Sequence, residues 1–255
     1  ASDVYKRQIP DEAVEKLRSM LNAARRIVAF TGAGISAESG IATYRGHGGM
    51  WTKYDPEKYA SIEYFRRDPS YYWRFFREVR HDMIARAEPN PAHLAVAKLE
   101  SDGSLAAVIT QNIDGLHQKA GSRRVLELHG NTTRFYCLDC HWVFDLMTVW
   151  ERVKTELPPR CDACGGIIRP DVVLFGEMLP PDVLEQASKE AEHCDLMLVI
   201  GSSLVVYPAA NLPYQAKLNG AKLVIINIDP TPLDGLADLV LNHPAGELLQ
   251  RAILS

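Results

Sequence analysis

The sequence predicts an α/β protein: a parallel sheet with helices on both faces, accompanied by a second, smaller module. Three observations carry this expectation. Short apolar runs of strand length alternate with helix-period segments, the pattern of strands joined by crossover helices. One such run, residues 26–30, opens directly into the glycine turn Gly32-Ala33-Gly34. Two stretches then break the rhythm: residues 47–90 are aromatic-rich and helical in pattern, and residues 132–170 carry two Cys-x-x-Cys pairs.

Taken in order, residues 11–24 have helical periodicity and lead into the strand at 26–30. Residues 91–100 (PAHLAVAKLE) read as a helix and 106–110 (AAVIT) as a buried strand. Residues 125–128 (VLEL) and 172–175 (VVLF) read as short strands. A helix at 184–192 precedes the strand 196–200, a helix at 209–219 precedes the strand 222–227, and 245–254 is the last helix. The sheet would thus take residues 9–46, 91–131 and 171–255, and the smaller module 47–90 and 132–170.

At 255 residues the chain is long enough for one large domain carrying a smaller one. A net charge of -4 offers no general attraction to nucleic acid, so no direct nucleic-acid binding is expected. No apolar stretch approaches the roughly 20 residues that span a bilayer, and the polar opening ASDVYKRQIPDE has no signal-peptide core. The expectation is a cytoplasmic protein with no membrane partner. With Ala1 rather than Met at the start, the first few residues read as a fragment remnant.

Four of the five cysteines form the pairs Cys137/Cys140 and Cys161/Cys164, separated by residues 141–160. That spacing gathers four thiolates around one tetrahedral Zn²⁺; two disulfides are the alternative, disfavoured inside cells. With all four ligands cysteine, no position is left for water or substrate, so the zinc would be structural. Cys194 reads as a small buried residue.

A glycine turn between strand and helix is a phosphate cradle in many sheets of this type, and an ordinary tight turn in others. A dehydrogenase would carry an acidic residue about 20 positions later on a second strand. Here the chain runs instead through Tyr44-Arg45-Gly46 into Gly48-Gly49-Met50-Trp51, so a dinucleotide would be held differently. Polar groups stand at four expected strand ends: Gln111-Asn112-Ile113-Asp114, His129, Gly201-Ser202-Ser203 and Asn227-Ile228-Asp229. Strand carboxyl ends line the ligand crevice of an open parallel sheet, so these groups should converge. His129, at a strand end beside a glycine, is the better general-base candidate; His117 reads as structural.

The set GAGIS, ESGI, RG, TQNID-x-LH, LHG, the two CxxC pairs, FGE and GSS, spread over residues 12–250, resembles the sirtuins, NAD-dependent protein-lysine deacylases. The resemblance implies a Rossmann-like NAD domain with a small zinc-bearing domain. It sets Gly32, Ala33 and Gly34 against the NAD pyrophosphate, with Ala37 also among the cofactor contacts. Tyr44 and Arg45 would fold over the nicotinamide, and Gln111, Asn112, Ile113 and Asp114 would line the ribose and nicotinamide pocket. Gly201, Ser202, Ser203, Asn227, Ile228 and Ala245 would meet the phosphate and adenosine. His129 would be the catalytic base, assisted by Asn112 and Asp114. Val172, Phe175, Gly176 and Glu177 would receive the acyl-lysine protein or peptide as an added strand.

In the implied reaction, nicotinamide is a cationic leaving group whose bond to ribose breaks with oxocarbenium character as the acyl oxygen attacks. Asn112 and Asp114 hold nicotinamide and water, and the enclosing loop excludes bulk solvent. Neutral His129 accepts a proton from a ribose hydroxyl. Nicotinamide, deacylated lysine and O-acetyl-ADP-ribose result, so NAD is a consumed co-substrate. Mono-ADP-ribosyl transfer in the same pocket is the alternative. A non-catalytic NAD-sensing module would have no use for His129, Asn112 and Asp114 together.

The chain departs from the family at Tyr44, where Phe is usual, and at Ala42, where Pro is common. Sirtuins selective for succinyl- or malonyl-lysine carry a Tyr-x-x-Arg pair; alignment puts Phe76 and Val79 there, with Arg77 and Arg80 off register. Two apolar side chains favour an uncharged acyl group, chiefly acetyl. The chain is expected to act as a monomer.

Overall fold

A computed structural model describes residues 9–44 and 49–255. Its main sheet has six parallel strands: β1 (Ile27–Thr31), β2 (Leu105–Thr110), β3 (Val125–Glu127), β7 (Leu196–Ile200), β8 (Lys222–Ile226) and β9 (Leu239–Leu241), in the order β3-β2-β1-β7-β8-β9. The order reverses beside β1, which pairs with β2 on one side and β7 on the other. That reversal opens a crevice at the strand carboxyl ends, where ligands of such sheets bind.

Every residue of β1 and β7 is buried, which explains their apolar sequence, broken only by Thr31 at the end of β1. Alternate side chains of β1 enter two cores. Ile27 and Ala29 pack with Val14 and Leu17 of α1 (Asp11–Ala23), Ala95 and Val96 of α6 (Pro91–Ser101), and Leu248 of α11 (Ala245–Leu249). Val28 and Phe30 pack with Ala187 and Ala191 of α9 (Pro181–His193) and Leu212 and Ala216 of α10 (Asn211–Leu218). Helices therefore cover both faces, each buried Leu, Ile or Phe contributing about 1.5–3 kcal/mol. Helix α6 starts where it does because Asn90 and His93 form a capping box and Pro91 fits the first turn.

A second sheet is antiparallel and three-stranded: β5 (Val143–Asp145), β4 (Gly130–Cys137) and β6 (Ile168–Val172), with β4 central. With α8 (Leu146–Val153) and the short helices α2 (Pro56–Ala60), α3 (Ile62–Arg67), α4 (Ser70–Phe75) and α5 (His81–Arg86), it surrounds a third core centred on Trp73, Phe76 and Phe135. A π-turn, Phe76–Arg80, joins α4 to α5, and α7 (Leu116–Lys119) follows β2.

Two expectations need correction. The strand expected at 172–175 is not part of the parallel sheet: β6 ends at Val172 in the antiparallel sheet, and beyond it Phe175 makes a single bridge to Ser61. The final helix is α-helical only to Leu249 and continues as a π-turn, Gln250–Leu254.

Candidate active site

The crevice is a cavity of about 650 Å³ at the carboxyl ends of β1, β2, β7 and β8. Its floor is the contact between two strand-end turns. The Gly32 N–H donates to the Ile200 carbonyl at 3.1 Å and the Gly34 N–H to the Gly201 carbonyl at 2.8 Å. A Cβ on Gly34 would stand 2.6 Å from Gly201 Cα, so the second glycine of the turn serves this close approach. Gly32, Ala33, Gly34 and Ala37 line the cavity, as do Gly201, Ser202 and Ser203 opposite, and Asn227, Ile228 and Ala245 further along.

From β2, Gln111, Asn112 and Ile113 reach the cavity. Gln111 Nε2 donates to Ser202 Oγ at 2.8 Å, tying the ends of β2 and β7 together. Asn112 Nδ2 donates to the Gly32 carbonyl at 3.2 Å and to Ser36 Oγ at 3.1 Å. Asp114 stands one layer behind the lining. Its Oδ2 accepts from Ser36 Oγ at 2.7 Å and its Oδ1 from the Leu116 N–H at 2.9 Å, and burial raises its pKa. Asp114 therefore reaches the cavity through Ser36 and Asn112, a route that sequence reasoning missed although Ser36 stands in the glycine-turn motif.

His129 lies between β3 and β4 on the cavity wall. Its Nδ1 is 2.9 Å from the Gln111 carbonyl, which can only accept, so Nδ1 carries a hydrogen and, in the neutral ring, Nε2 holds the lone pair. Gly130, next in the chain, has φ +75°, and a Cβ there would meet the Asp171 carbonyl oxygen at 2.0 Å. Only glycine allows β4 to start directly after the histidine and still pair with β6.

Val172, Phe175, Gly176 and Glu177 also line the cavity, in a segment tied to His129 through the Val173 N–H. Arg45 lies outside the described residues. Tyr44 lines the cavity, its ring stacked on Trp51 at 5.2 Å, and Trp51 meets the edge of Phe175 at 6.1 Å.

Behind this aromatic wall the expected register fails. Phe76 is buried in the third core, and Arg80, not Phe76 or Val79, lines the cavity. The π-turn at Phe76–Arg80 adds a residue to the helical turn and rotates Arg80 inward. Arg80 is 3% exposed, with Nη1 3.3 Å from the Tyr72 hydroxyl, Nη2 3.4 Å from the Tyr44 hydroxyl and its guanidinium 5.3 Å over Phe75. Among the described residues, its Nε has no hydrogen-bond partner, and none of its hydrogen-bond partners is a carboxylate.

Away from the cavity, the sulfurs of Cys137, Cys140, Cys161 and Cys164 lie within 4.8 Å of one another. The pairs Cys137/Cys164 and Cys140/Cys161 are 3.4 and 3.7 Å apart. These distances are far beyond a disulfide bond and near the roughly 3.8 Å edge of a tetrahedron with metal–sulfur bonds of about 2.3 Å. The four cysteines are positioned to hold a metal ion. Cys194 is buried, as expected, with its thiol pushed up to about 11 mainly by desolvation.

Comparison with known proteins follows the same lines. The Sir2 family model matches residues 32–208. The chain is 51% identical over 244 residues to NAD-dependent protein deacylase 2 of Archaeoglobus fulgidus, covering 95% of this chain and 96% of that protein. It is 50% identical over 236 residues to the NAD-dependent protein deacetylase of Sulfurisphaera tokodaii, covering 92% of each. Among solved structures, a Sir2 enzyme from work on mechanism and regulation superposes with a TM-score of 0.89 at 51% identity, over 96% of this chain and 98% of that one. A Sir2 complex with p53 peptide and NAD+ superposes with a TM-score of 0.87 at 42% identity, over 93% and 96%.

Proposed function

The chain belongs to the Sir2 family and is an NAD-dependent protein deacylase, and we propose that the strand-end cavity carries out the reaction with His129 as its general base. The observation that carries this reading is the His129 tautomer. Its Nδ1–H is committed to the Gln111 carbonyl, so the basic nitrogen is Nε2, on a residue that lines the cavity beside Gln111 and Asn112.

NAD enters as a co-substrate, supplying a cationic leaving group and the ribose that takes up the acyl group. The protein's part is binding, orientation and proton transfer. The strand-end turns at Gly32–Gly34 and Gly201–Ser203 bring backbone and hydroxyls against the pyrophosphate, and Asn227, Ile228 and Ala245 meet the adenosine side. Asn112, fixed by Gly32 and Ser36, orients the nicotinamide end, with Asp114 holding Ser36 from behind. His129 Nε2 accepts the ribose hydroxyl proton, a step of the size expected of general-base catalysis. The acyl-lysine peptide enters along Val172, Phe175 and Gly176, and Tyr44, Trp51 and Phe175 exclude water from the acyl end.

Acetyl is the chief acyl group, and Arg80 extends the range to acyl groups ending in a carboxylate. A buried guanidinium without an acid partner is a ready cation for such a group, which would otherwise be buried unpaired at several kcal/mol. Zinc is the metal we assign to the four cysteines, and four reduced thiols fit a cytoplasmic location. No described helix is long and apolar enough to cross a membrane. We assign a monomer, with residues 47–90 and 132–170 as the smaller domain, a division supported by the third core, which draws on both stretches. Mono-ADP-ribosyl transfer gains no support from the names of the relatives.

One experiment tests the function and the acyl range together. A single peptide in acetyl- and succinyl-lysine forms is incubated with NAD, and nicotinamide and peptide mass are read. Wild-type enzyme should remove both groups, with succinyl kcat/KM within about tenfold of acetyl. R80M should lower succinyl turnover about tenfold or more and leave acetyl within about threefold. Nicotinamide release without loss of acyl mass would overturn the function. Succinyl turnover that is negligible, or indifferent to R80M, would overturn the role of Arg80 alone.

A further inference from the structure

Glu177 stands in the cavity wall, yet its carboxylate faces an arginine of the neighbouring strand. Arg169, in β6, is 6% exposed, and its guanidinium lies 5.5 Å from the ring of Tyr136 and 5.8 Å from that of Phe65. Its Nη1 donates to Glu177 Oε1 at 2.8 Å and its Nη2 to Oε2 at 2.9 Å, a two-pronged ion pair. Nη2 also donates to the Val172 carbonyl at 2.8 Å and Nε to the Pro170 carbonyl at 3.2 Å. Glu177 Oε2 further accepts the Leu174 N–H at 2.8 Å, while the Glu177 N–H closes the turn onto the Leu174 carbonyl at 3.0 Å.

We propose that Arg169 and Glu177 are positioning residues, a buried ionic fork that shapes residues 173–177 to receive the acyl-lysine peptide without contacting it. This inference rests on the reading of the cavity as the deacylase site.

The segment needs such a device because it leaves the antiparallel sheet at Val172 and, among the described residues, has afterwards only the single bridge of Phe175 to Ser61. Two anchors hold it from the cavity side: the Val173 N–H donates to the His129 carbonyl at 2.9 Å, and Phe175 exchanges bonds with Ala60 and Ile62 at 2.8 and 3.0 Å. On its far side lies a second, polar hollow of about 440 Å³, lined by Arg66, Tyr136, Arg169, Asp171 and Glu177. Gly176 lines both spaces, so the segment is a thin wall with room behind it. The fork holds that wall from the hollow side.

The test uses the full chain, an acetyl-lysine peptide varied against saturating NAD, and the variants E177Q and R169K. E177Q keeps the side-chain volume without the charge, and R169K keeps the charge without the planar fork. Both should raise the peptide KM about tenfold or more while kcat and the KM for NAD stay within about threefold. The double variant should be no worse than the weaker single one, because the two residues act as a unit. Hydrogen exchange should quicken across 172–178 and remain unchanged in β1 and β7. An unchanged peptide KM in both variants would overturn the proposal. So would effects that add in the double variant and vary with the peptide's charge, since those are the marks of direct contact. If the wild-type enzyme removes no acyl group, the functional reading falls, and hydrogen exchange alone then decides the fork.

Discussion

At the scale of single residues, the site depends on side chains whose roles are set by what lies behind them. His129 is the clearest case, because the Gln111 carbonyl takes its Nδ1–H and so fixes the tautomer of the neutral ring. His129→Ala should therefore leave NAD binding within about threefold, since the proposed hold on the cofactor comes from neighbouring backbone and hydroxyl groups. Deacylation should fall by about two to four orders of magnitude, the range for loss of a general base. Calorimetric NAD titration beside a deacylation assay checks both halves, and near-normal turnover would remove His129 from the role. The residue types at the strand ends were legible, because polar groups after apolar strands in a parallel sheet have one place to converge. Their depth was not. Asp114 was expected in the lining, but it lies behind Ser36, and no one-dimensional pattern separates a lining carboxylate from a supporting one. Arg80 was set off register because alignment with a Tyr-x-x-Arg pair carries no sign of the π-turn at Phe76–Arg80, which rotates later residues from the face a regular helix would give them.

At the scale of elements, legibility followed apolar sequence rather than burial, for β6 is as buried as β8. Strands β1, β7 and β8 are enclosed on both faces or nearly so, and read as apolar runs. Strand β6 has the sequence Ile-Arg-Pro-Asp-Val, with a proline and two charges, and β9 has only three residues; neither carries a periodic signal. The antiparallel sheet is instead organised by its cysteines. Cys137 ends β4, Cys140 lies in the turn before β5, and Cys161 and Cys164 precede β6. A metal at the four sulfurs thus clamps the loops at one end of a sheet whose edge strand, β5, has three residues. Purified protein should contain one zinc per chain by elemental analysis. Cys137→Ala or Cys164→Ala should release the zinc and loosen β4–β6, because ligation and folding are coupled in such modules. Since β4 begins beside His129, activity should fall with the metal. Fully active, well-folded protein without zinc would refute the assignment.

At the scale of the whole molecule, two histidines tie four elements together beneath the cavity and make stability sensitive to pH. His93, on α6, lies 3.4 Å from Ser36 Oγ, and His117, on α7, lies 2.9 Å from Thr31 Oγ1 at the end of β1. Thr31 in turn donates to Thr110 of β2 at 2.8 Å. The two rings stand 5.1 Å apart, and burial pushes His93 down to about 4 and His117 down to about 3. Both are neutral in the folded protein but titrate near 6.5 once unfolded. Below pH 6.5 the unfolded chain therefore binds protons that the folded chain refuses, and stability falls as pH falls. The full contribution is present above pH 6.5, and each histidine removes up to about 1.4 kcal/mol per pH unit below it. The buried carboxyl of Asp114, raised by desolvation, acts in the opposite sense, taking up its proton first in the folded state. Asp238, held down to about 2 where desolvation is outweighed by its bonds to Lys217, Leu223 and Lys222, loses its stabilising effect only at much lower pH. Urea unfolding at pH 7.5, 6.5 and 5.5 should show a midpoint steady over the first interval and falling over the second. H117Q, which keeps a donor near Nε2 without a titrating ring, should flatten that fall by about half. A midpoint independent of pH down to 5.5, or unaffected by H117Q, would mean that the two rings are hydrated and charged at that pH rather than buried and neutral.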